Sequence, residues 1–284
     1  MKRAVEREQF FTGRELARRC VDFADRLLRF ETFARFVEPS AGDGSFLDLL
    51  PADRRIGIDI DPRAPGVVAA DFLTWRPPAA PGRVLTIGNP PFGQRAVLAV
   101  DFVEAACVFS DAVAFILPRS FNKYTFANRV PRDFALLGSF DCDEFRAVDG
   151  RPRTVKAVFQ VWQRGTEPRP LLLPPATHPH FGMRHCHLSR ATPAELDRLR
   201  GAYEFAVAQV GSDFAPRDAH AVTRGSHWFI APAVADVRRR FERLDFAFLD
   251  GMNTAHKSLS KRDIVAAYQA VLDAEAGPGL WPTR

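Results

Sequence analysis

Thr86-Ile87-Gly88-Asn89-Pro90-Pro91-Phe92-Gly93 is the stretch from which the rest of the chain is read. The apolar pair Val84-Leu85 before it reads as the end of a buried strand. Two consecutive prolines cannot donate to a sheet ladder and fix their own φ, so the strand has to stop there. Beyond the strand the chain makes a stiff turn that holds an amide at Asn89 and an aromatic ring at Phe92.

Upstream, Phe36-Val37-Glu38-Pro39-Ser40-Ala41-Gly42-Asp43-Gly44-Ser45-Phe46-Leu47 has the order strand, tight glycine turn, helix, the helix being expected from Phe46, Leu47, Leu49 and Leu50. This is the doubly wound unit in which glycines let the backbone approach a ligand closely. Position 47 is Leu, so the loop is not the Gly-x-Gly-x-x-Gly of dinucleotide enzymes. Arg55-Ile56-Gly57-Ile58-Asp59-Ile60-Asp61-Pro62 is an alternating strand ending in acid. A carboxylate at that point can accept from both hydroxyls of a ribose. Asp59 takes that role, and Asp61, before Pro62, reads as a turn former. Val67-Val68-Ala69-Ala70-Asp71-Phe72-Leu73 repeats the strand-then-acid pattern.

Asn89-Pro90-Pro91-Phe92 after an apolar strand, with these motifs ahead of it, resembles the catalytic loop of methyltransferases that use S-adenosylmethionine to methylate amino groups, chiefly the exocyclic N6 of adenine. Phe10-Phe11-Thr12-Gly13 resembles the family's first motif, which covers the methionine end of the cofactor; Gly13 stands where many relatives carry Pro. The resemblance spans residues 10–162. It implies that Phe11, Thr12, Glu38, Pro39, Ser40, Gly42, Gly44, Asp59, Ile60, Asp71, Phe72 and Asn89 hold S-adenosylmethionine. Asp71 would face the amino group of the cofactor's adenine, with Phe72 near its ring. It also implies catalysis by Asn89, Pro90, Pro91 and Phe92, with the Asn89 side-chain oxygen and the Pro90 carbonyl accepting from the target amine and Phe92 stacking on the base.

The remaining elements extend the same fold. Thr12 and Glu15 have capping-box spacing ahead of a helix marked by Leu16, Cys20, Phe23, Ala24, Leu27 and Leu28. Ala96–Phe109 reads as a helix and Ala112–Pro118 as a fully apolar fifth strand. Phe134–Phe140 and Thr154–Trp162 complete a seven-stranded sheet, with Asp149-Gly150 as a turn signal between them. Arg119, Asn122 and Lys123 follow the fifth strand, on the edge where open α/β sheets place ligands, and are candidates for substrate binding. The expected fold is α/β: a doubly wound, seven-stranded, Rossmann-like methyltransferase sheet over residues 1–166, with a small C-terminal α+β region over 167–284.

Pro168, Pro170, Pro174 and Pro175 mark that boundary. His178, His180, His185, Cys186 and His187 crowd together, but no pair has zinc-unit spacing matched by a second pair. A polar surface loop is the expectation, and no metal. Gly225–Ile230 reads as a short strand. From Pro232, the residues Val234, Val237, Phe241 and Leu244 trace a helical stripe that leaves Arg238, Arg239, Arg240 and Arg243 off it. Those arginines read either as a solvated face or as phosphate contacts, Arg239 and Arg240 first among them. Ser260 and Asp263 cap a last helix, Lys261–Ala274.

Composition permits this reading and narrows it. With 46% apolar residues and 25 Phe in 284, the chain can fill a core, which argues against disorder. It has no apolar run of about 18 residues, so no membrane-spanning helix is expected. Residues 1–8 lack the apolar segment of a secretion signal, and the four cysteines form no CxxC pair, which suits a reduced, cytoplasmic protein. The net charge of +5 is spread as +2 over residues 1–167 and +3 over 168–284, which admits a nucleic-acid partner without demanding one. DNA and RNA adenine both fit the loop, as does the glutamine amide of a protein, although enzymes of that last kind usually carry Tyr where this chain has Phe92. A non-catalytic module that keeps the fold to bind RNA or a partner is the remaining alternative.

Overall fold

The apolar runs fold as strands on either side of the Asn-Pro-Pro turn, and the two long apolar-periodic runs fold as helices. In chain order these are β1 (Phe10–Phe11), α1 (Arg14–Leu28), β2 (Phe33–Pro39), β3 (Arg55–Asp59), β4 (Val68–Ala69), β5 (Arg83–Gly88), α2 (Val97–Phe109), β6 (Ala112–Pro118), α3 (Tyr124–Ala127), β7 (Phe134–Ala147) and β8 (Pro152–Arg164). The computed structural model describes residues 10–79, 81–93, 96–147, 152–211, 213–246 and 257–276. The Asp149-Gly150 turn lies outside the described residues.

The strands form one sheet in the order β1-β7-β8-β6-β5-β2-β3-β4. β2 to β6 run parallel, and β8 lies antiparallel to both of its neighbours, β6 and β7. Counted from β2, the order is 3-2-1-4-5-7-6. β1 is an addition to the seven expected strands, joined to the edge by the pairs Phe10↔Ala147 and Phe11↔Arg146. α1 covers one face, packing Ala17, Cys20, Ala24 and Leu28 with Phe36, Leu85, Ile87 and Phe159. α2 covers the other, setting Ala99, Val103 and Ala106 with Val37, Ile58, Phe115 and Leu117. β6 is buried along its whole length, as a central parallel strand covered on both faces must be. Burying a ring such as Phe115 contributes about 1.5–3 kcal/mol.

Two local expectations are corrected. The helix expected after Phe46 is a single 3₁₀ turn, Leu47–Leu49. Pro51 disfavours helical backbone at the residue before it, and Leu50 is extended at φ −92°, ψ 154°. Leu47 instead closes on β3: a Cβ added at Gly57 would stand 2.8 Å from Leu47 Cδ2. The Thr12–Glu15 capping box does not form either. Gly13 is the N-cap of α1, and no side chain caps it.

The first unit ends after Leu172 rather than at 166. The reason is Arg169, whose guanidinium donates to the carbonyls of Ala127, Val130 and Phe134 while its N–H donates to that of Arg132. These bonds tie the proline-rich strap to the sheet domain beyond the expected boundary.

The second unit is α+β. It holds β9 (Phe181–His187), α4 (Pro193–Ala202), β10 (Phe205–Ala208), β11 (Val210–Gly211), β12 (Arg217–Asp218), β13 (Ser226–Pro232), α5 (Val237–Phe241), β14 (Lys257–Ser258) and α6 (Lys261–Ala276). Four strands form an antiparallel sheet in the order β12-β10-β13-β9, and β11 pairs with β14. The Ser260–Asp263 box caps α6: Asp263 N–H donates to Ser260 Oγ at 3.2 Å and Ser260 N–H to Asp263 Oδ2 at 2.8 Å. Thr192 and Glu195 form a second box at α4, with Pro193 in the first helical turn, a signature as legible in the sequence as the first. His185, Cys186 and His187 lie on β9, not in a surface loop. His178 and His180 pack on the ring of Tyr268, with centroids 4.8 and 5.8 Å away. Among the described residues no three His, Cys, Asp or Glu side chains are grouped to hold a metal. Nor is any helix among them long and apolar enough to cross a membrane.

Candidate active site

Because β2 to β6 are parallel, their carboxyl ends share one edge of the sheet, and the loops leaving that edge carry most of the candidate residues. The loop after β2 turns through left-handed backbone at Ser40 (φ 55°), Gly42 (φ 52°) and Gly44 (φ 82°). Asp59, at the end of β3, organises it. Its Oδ2 accepts from Gly42 N–H and its Oδ1 from Asp61 N–H, each at 2.8 Å. An ionised carboxylate has about four acceptor positions, so this bracing leaves capacity for a ribose diol. Ile60 beside it is 74% exposed, an apolar surface of the kind that a purine ring would cover.

Glu38 lies under the same loop and is 3% exposed. The backbone N–H groups of Phe46 and Leu47 donate to its carboxyl, yet burial holds its pKa well above the ordinary carboxylate range. Its Oε2 is buried without a hydrogen-bond partner. Gly88, immediately before Asn89, lets the two loops meet, since a Cβ there would stand 3.2 Å from Glu38 Cγ. Nothing in the sequence pattern joined Glu38 to Gly88; the parallel pairing of β2 with β5 does.

Asn89 is half-buried, and its Nδ2 donates to Thr12 Oγ1 at 3.1 Å. Thr12, 6% exposed, thus braces the Asn-Pro-Pro turn rather than capping α1. Pro90 is buried, and Phe92 is 9% exposed and belongs to the core cluster beneath α1. The ring of Phe92 is therefore not displayed for stacking as the resemblance implies; it would have to turn out of that cluster. Phe72 departs further: its ring is buried, stacked on Phe102 with centroids 5.2 Å apart. Its side chain is a core ring, so only its backbone is left to face an adenine. Asp71 is exposed and accepts from Leu73 N–H at 3.0 Å. Pro39 closes β2 at the loop, and Phe11 lies in β1, paired with Arg146.

The substrate candidates divide. Arg119 is half-buried and held by Asp143, with Nη2 2.9 Å from Oδ1, and by Asp141 at 3.1 Å, so two carboxylates compensate its charge. Asn122 ends the 3₁₀ turn Arg119–Asn122 and accepts from Gln160, and Lys123 stands at the N-cap of α3. In the second unit the arginines of the expected basic face have different surroundings. α5 is only five residues long and excludes Val234 and Leu244. Arg240 pairs with Glu275 at 2.9 Å, Arg243 pairs with the same carboxylate, and Arg238 lies over the Phe205 ring at 5.8 Å. Arg239 is exposed.

The strand order 3-2-1-4-5-7-6, with its seventh strand reversed, decides the architecture. The fold is that of the class I methyltransferases. No family model and no curated protein matches the chain. Solved structures do resemble it. A Pyrococcus horikoshii protein provisionally described as an RNA methyltransferase is 18% identical, with a TM-score of 0.45 over 57% of this chain and 89% of its own. The N-methyltransferase NodS from Bradyrhizobium japonicum, in complex with S-adenosyl-L-homocysteine, is 11% identical, with a TM-score of 0.37 over 52% and 87%. Magnesium protoporphyrin IX methyltransferase from Synechocystis, with S-adenosylmethionine bound, is 10% identical, with a TM-score of 0.36 over 52% and 79%.

Proposed function

We propose that the first unit transfers a methyl group from S-adenosylmethionine to the exocyclic N6 amine of adenine in DNA or RNA. The observation that carries the reading is the Asn89-Pro90-Pro91 turn at the carboxyl end of β5, braced by Thr12 and set against Glu38 of the glycine loop.

The residues present fit the cofactor. Glu38 Oε2, buried and lacking a partner, suits an ammonium group, and the left-handed turns at Gly42 and Gly44 keep side chains off the loop. Asp59 would take the ribose hydroxyls, Ile60 one face of the adenine and Asp71 its amino group. When bound, the cofactor supplies an electrophilic methyl on sulfur.

The chain's own task is to position and activate the amine. An aromatic amine is a poor nucleophile because its lone pair is delocalised into the ring. Thr12 takes the NH₂ end of the Asn89 amide, which turns the carbonyl end away from Thr12. That oxygen and the Pro90 carbonyl would accept from the two amine hydrogens and push electron density back to nitrogen. The interaction strengthens as positive charge develops, so it favours the transition state over the ground state. The double proline keeps both acceptors in place.

Tritiated methyl transfer to DNA, total RNA and protein, followed by nucleoside analysis, tests the proposal. N6-methyladenine is the expected product. Asn89→Ala should bind the cofactor normally by calorimetry and lose about 10²-fold or more in turnover. Methylation confined to protein, or turnover that survives in Asn89→Ala, would overturn it.

A further inference from the structure

A buried glutamine on a sheet face has to satisfy both ends of its amide, and Gln160 does so with two partners of opposite character. It is 1% exposed on β8, on the same face as Val158 and Trp162. Trp162 Nε1 donates to Gln160 Oε1 at 3.1 Å, and Gln160 Nε2 donates to Asn122 Oδ1 at 3.1 Å. An indole N–H can only donate. Gln160 must therefore turn its oxygen to Trp162 and its NH₂ to Asn122. An amide NH₂ also only donates, so Asn122 must answer with its oxygen. A reversed Gln160 would oppose two donors inside the core, where an unmade hydrogen bond is costly.

The polarity of this relay is thus set at a tryptophan and delivered to the sheet edge. Asn122 is exposed at the end of the turn that leaves β6. β6 pairs directly with β5, with Gly88 opposite Phe115, so Asn89 and the turn holding Asn122 leave neighbouring strands at the same edge.

We infer that Asn122 determines specificity by presenting its NH₂ outward, selecting a substrate with a hydrogen-bond acceptor beside the amine being methylated. Gln160 and Trp162 are positioning residues that hold the amide in this sense. The inference rests on the proposed amino-methyl transfer; in adenine the acceptors are the ring nitrogens.

The test is kcat/KM for the full-length parent, Asn122→Ala and Trp162→Phe on oligonucleotides whose target adenine is replaced by its 1-deaza, 3-deaza or 7-deaza analogue. Each analogue removes one ring acceptor and keeps the amine. The parent should lose about 10–100-fold on one analogue. Asn122→Ala should lose a similar factor on adenine itself and nothing more on that analogue. Trp162→Phe keeps an aromatic ring in the core and deletes the donor that sets the polarity. It should blunt the same discrimination while cofactor affinity, read by calorimetry, stays at the parent's value. A purely structural defect would lower turnover or cofactor affinity and leave the analogue profile unchanged. Equal profiles in the parent and Asn122→Ala overturn the role of Asn122 alone. A parent that methylates no adenine overturns the proposed function, and this reading with it.

Discussion

Asn89 Nδ2 donates to Thr12 Oγ1 at 3.1 Å, joining residues 77 positions apart. The bond places the segment before α1 in contact with the turn after β5, so the first motif of the chain braces the last. Thr12→Val keeps the shape and removes the acceptor, and Thr12→Ser restores it. The valine variant should lower kcat by about 2–10-fold, the scale of one neutral hydrogen bond of about 0.5–1.5 kcal/mol. The serine variant should stay near the parent in steady-state kinetics.

On the proposed function, Glu38 should make cofactor binding and stability respond to pH in opposite directions. Its folded pKa is raised by burial, so its protonated form is favoured in the free protein. The stability this contributes is fully present below the ordinary carboxyl pKa and is lost as pH rises through the raised folded value. An ammonium ligand favours the ionised form, so cofactor affinity should rise over the same range. Thermal unfolding against pH should show the parent declining above the ordinary carboxyl range and Glu38→Gln remaining flatter. Identical curves would remove Glu38 as the titrating group.

Gly93 fixes how the Asn-Pro-Pro turn enters α2. It has φ +66°, and a Cβ there would stand 2.6 Å from Leu98 Cβ, an atom that cannot swing aside. Gly93→Ala should destabilise by about 1–3 kcal/mol, as strain and overpacking together do. Chemical denaturation measures it. The turn carrying Asn89 should shift with it, so turnover should fall more than cofactor affinity.

In the second unit, Glu275 occupies Arg240 and Arg243, while Arg239 is exposed. If this unit holds nucleic acid, Arg239→Ala should flatten the slope of log affinity against log salt by about 0.7–0.9. Arg240→Ala and Arg243→Ala should leave the slope near the parent's. Fluorescence anisotropy with a labelled oligonucleotide across a salt titration gives these values, and a larger effect at Arg240 would reverse the assignment.

Local order along the chain was enough to place the seven expected strands of the first unit, the edge at which they deliver their loops, and the loops that carry the candidate residues. Prolines end β5 after Gly88, glycines permit the turn at Gly42 and Gly44, and an acid closes β3 and another follows β4. The Ser260–Asp263 cap was legible for the same reason, since its partners are three residues apart. Side-chain commitments came from long-range packing, because they depend on neighbours distant in sequence. Thr12 looked like a cap and instead meets Asn89. Phe72 and Phe92 carry the right residue type for a ligand, yet packing against α2 and beneath α1 claims both rings for the core. Arg240 and Arg243 read as free cations until α6 brings Glu275 to them. The helix expected after Phe46 yielded to Pro51 and to the close approach of Leu47 to Gly57, a contact created only when β2 and β3 pair. The polarity of Asn122 is set by an indole on β8, because a hydrogen-bond direction is fixed by the donor at the far end of its network.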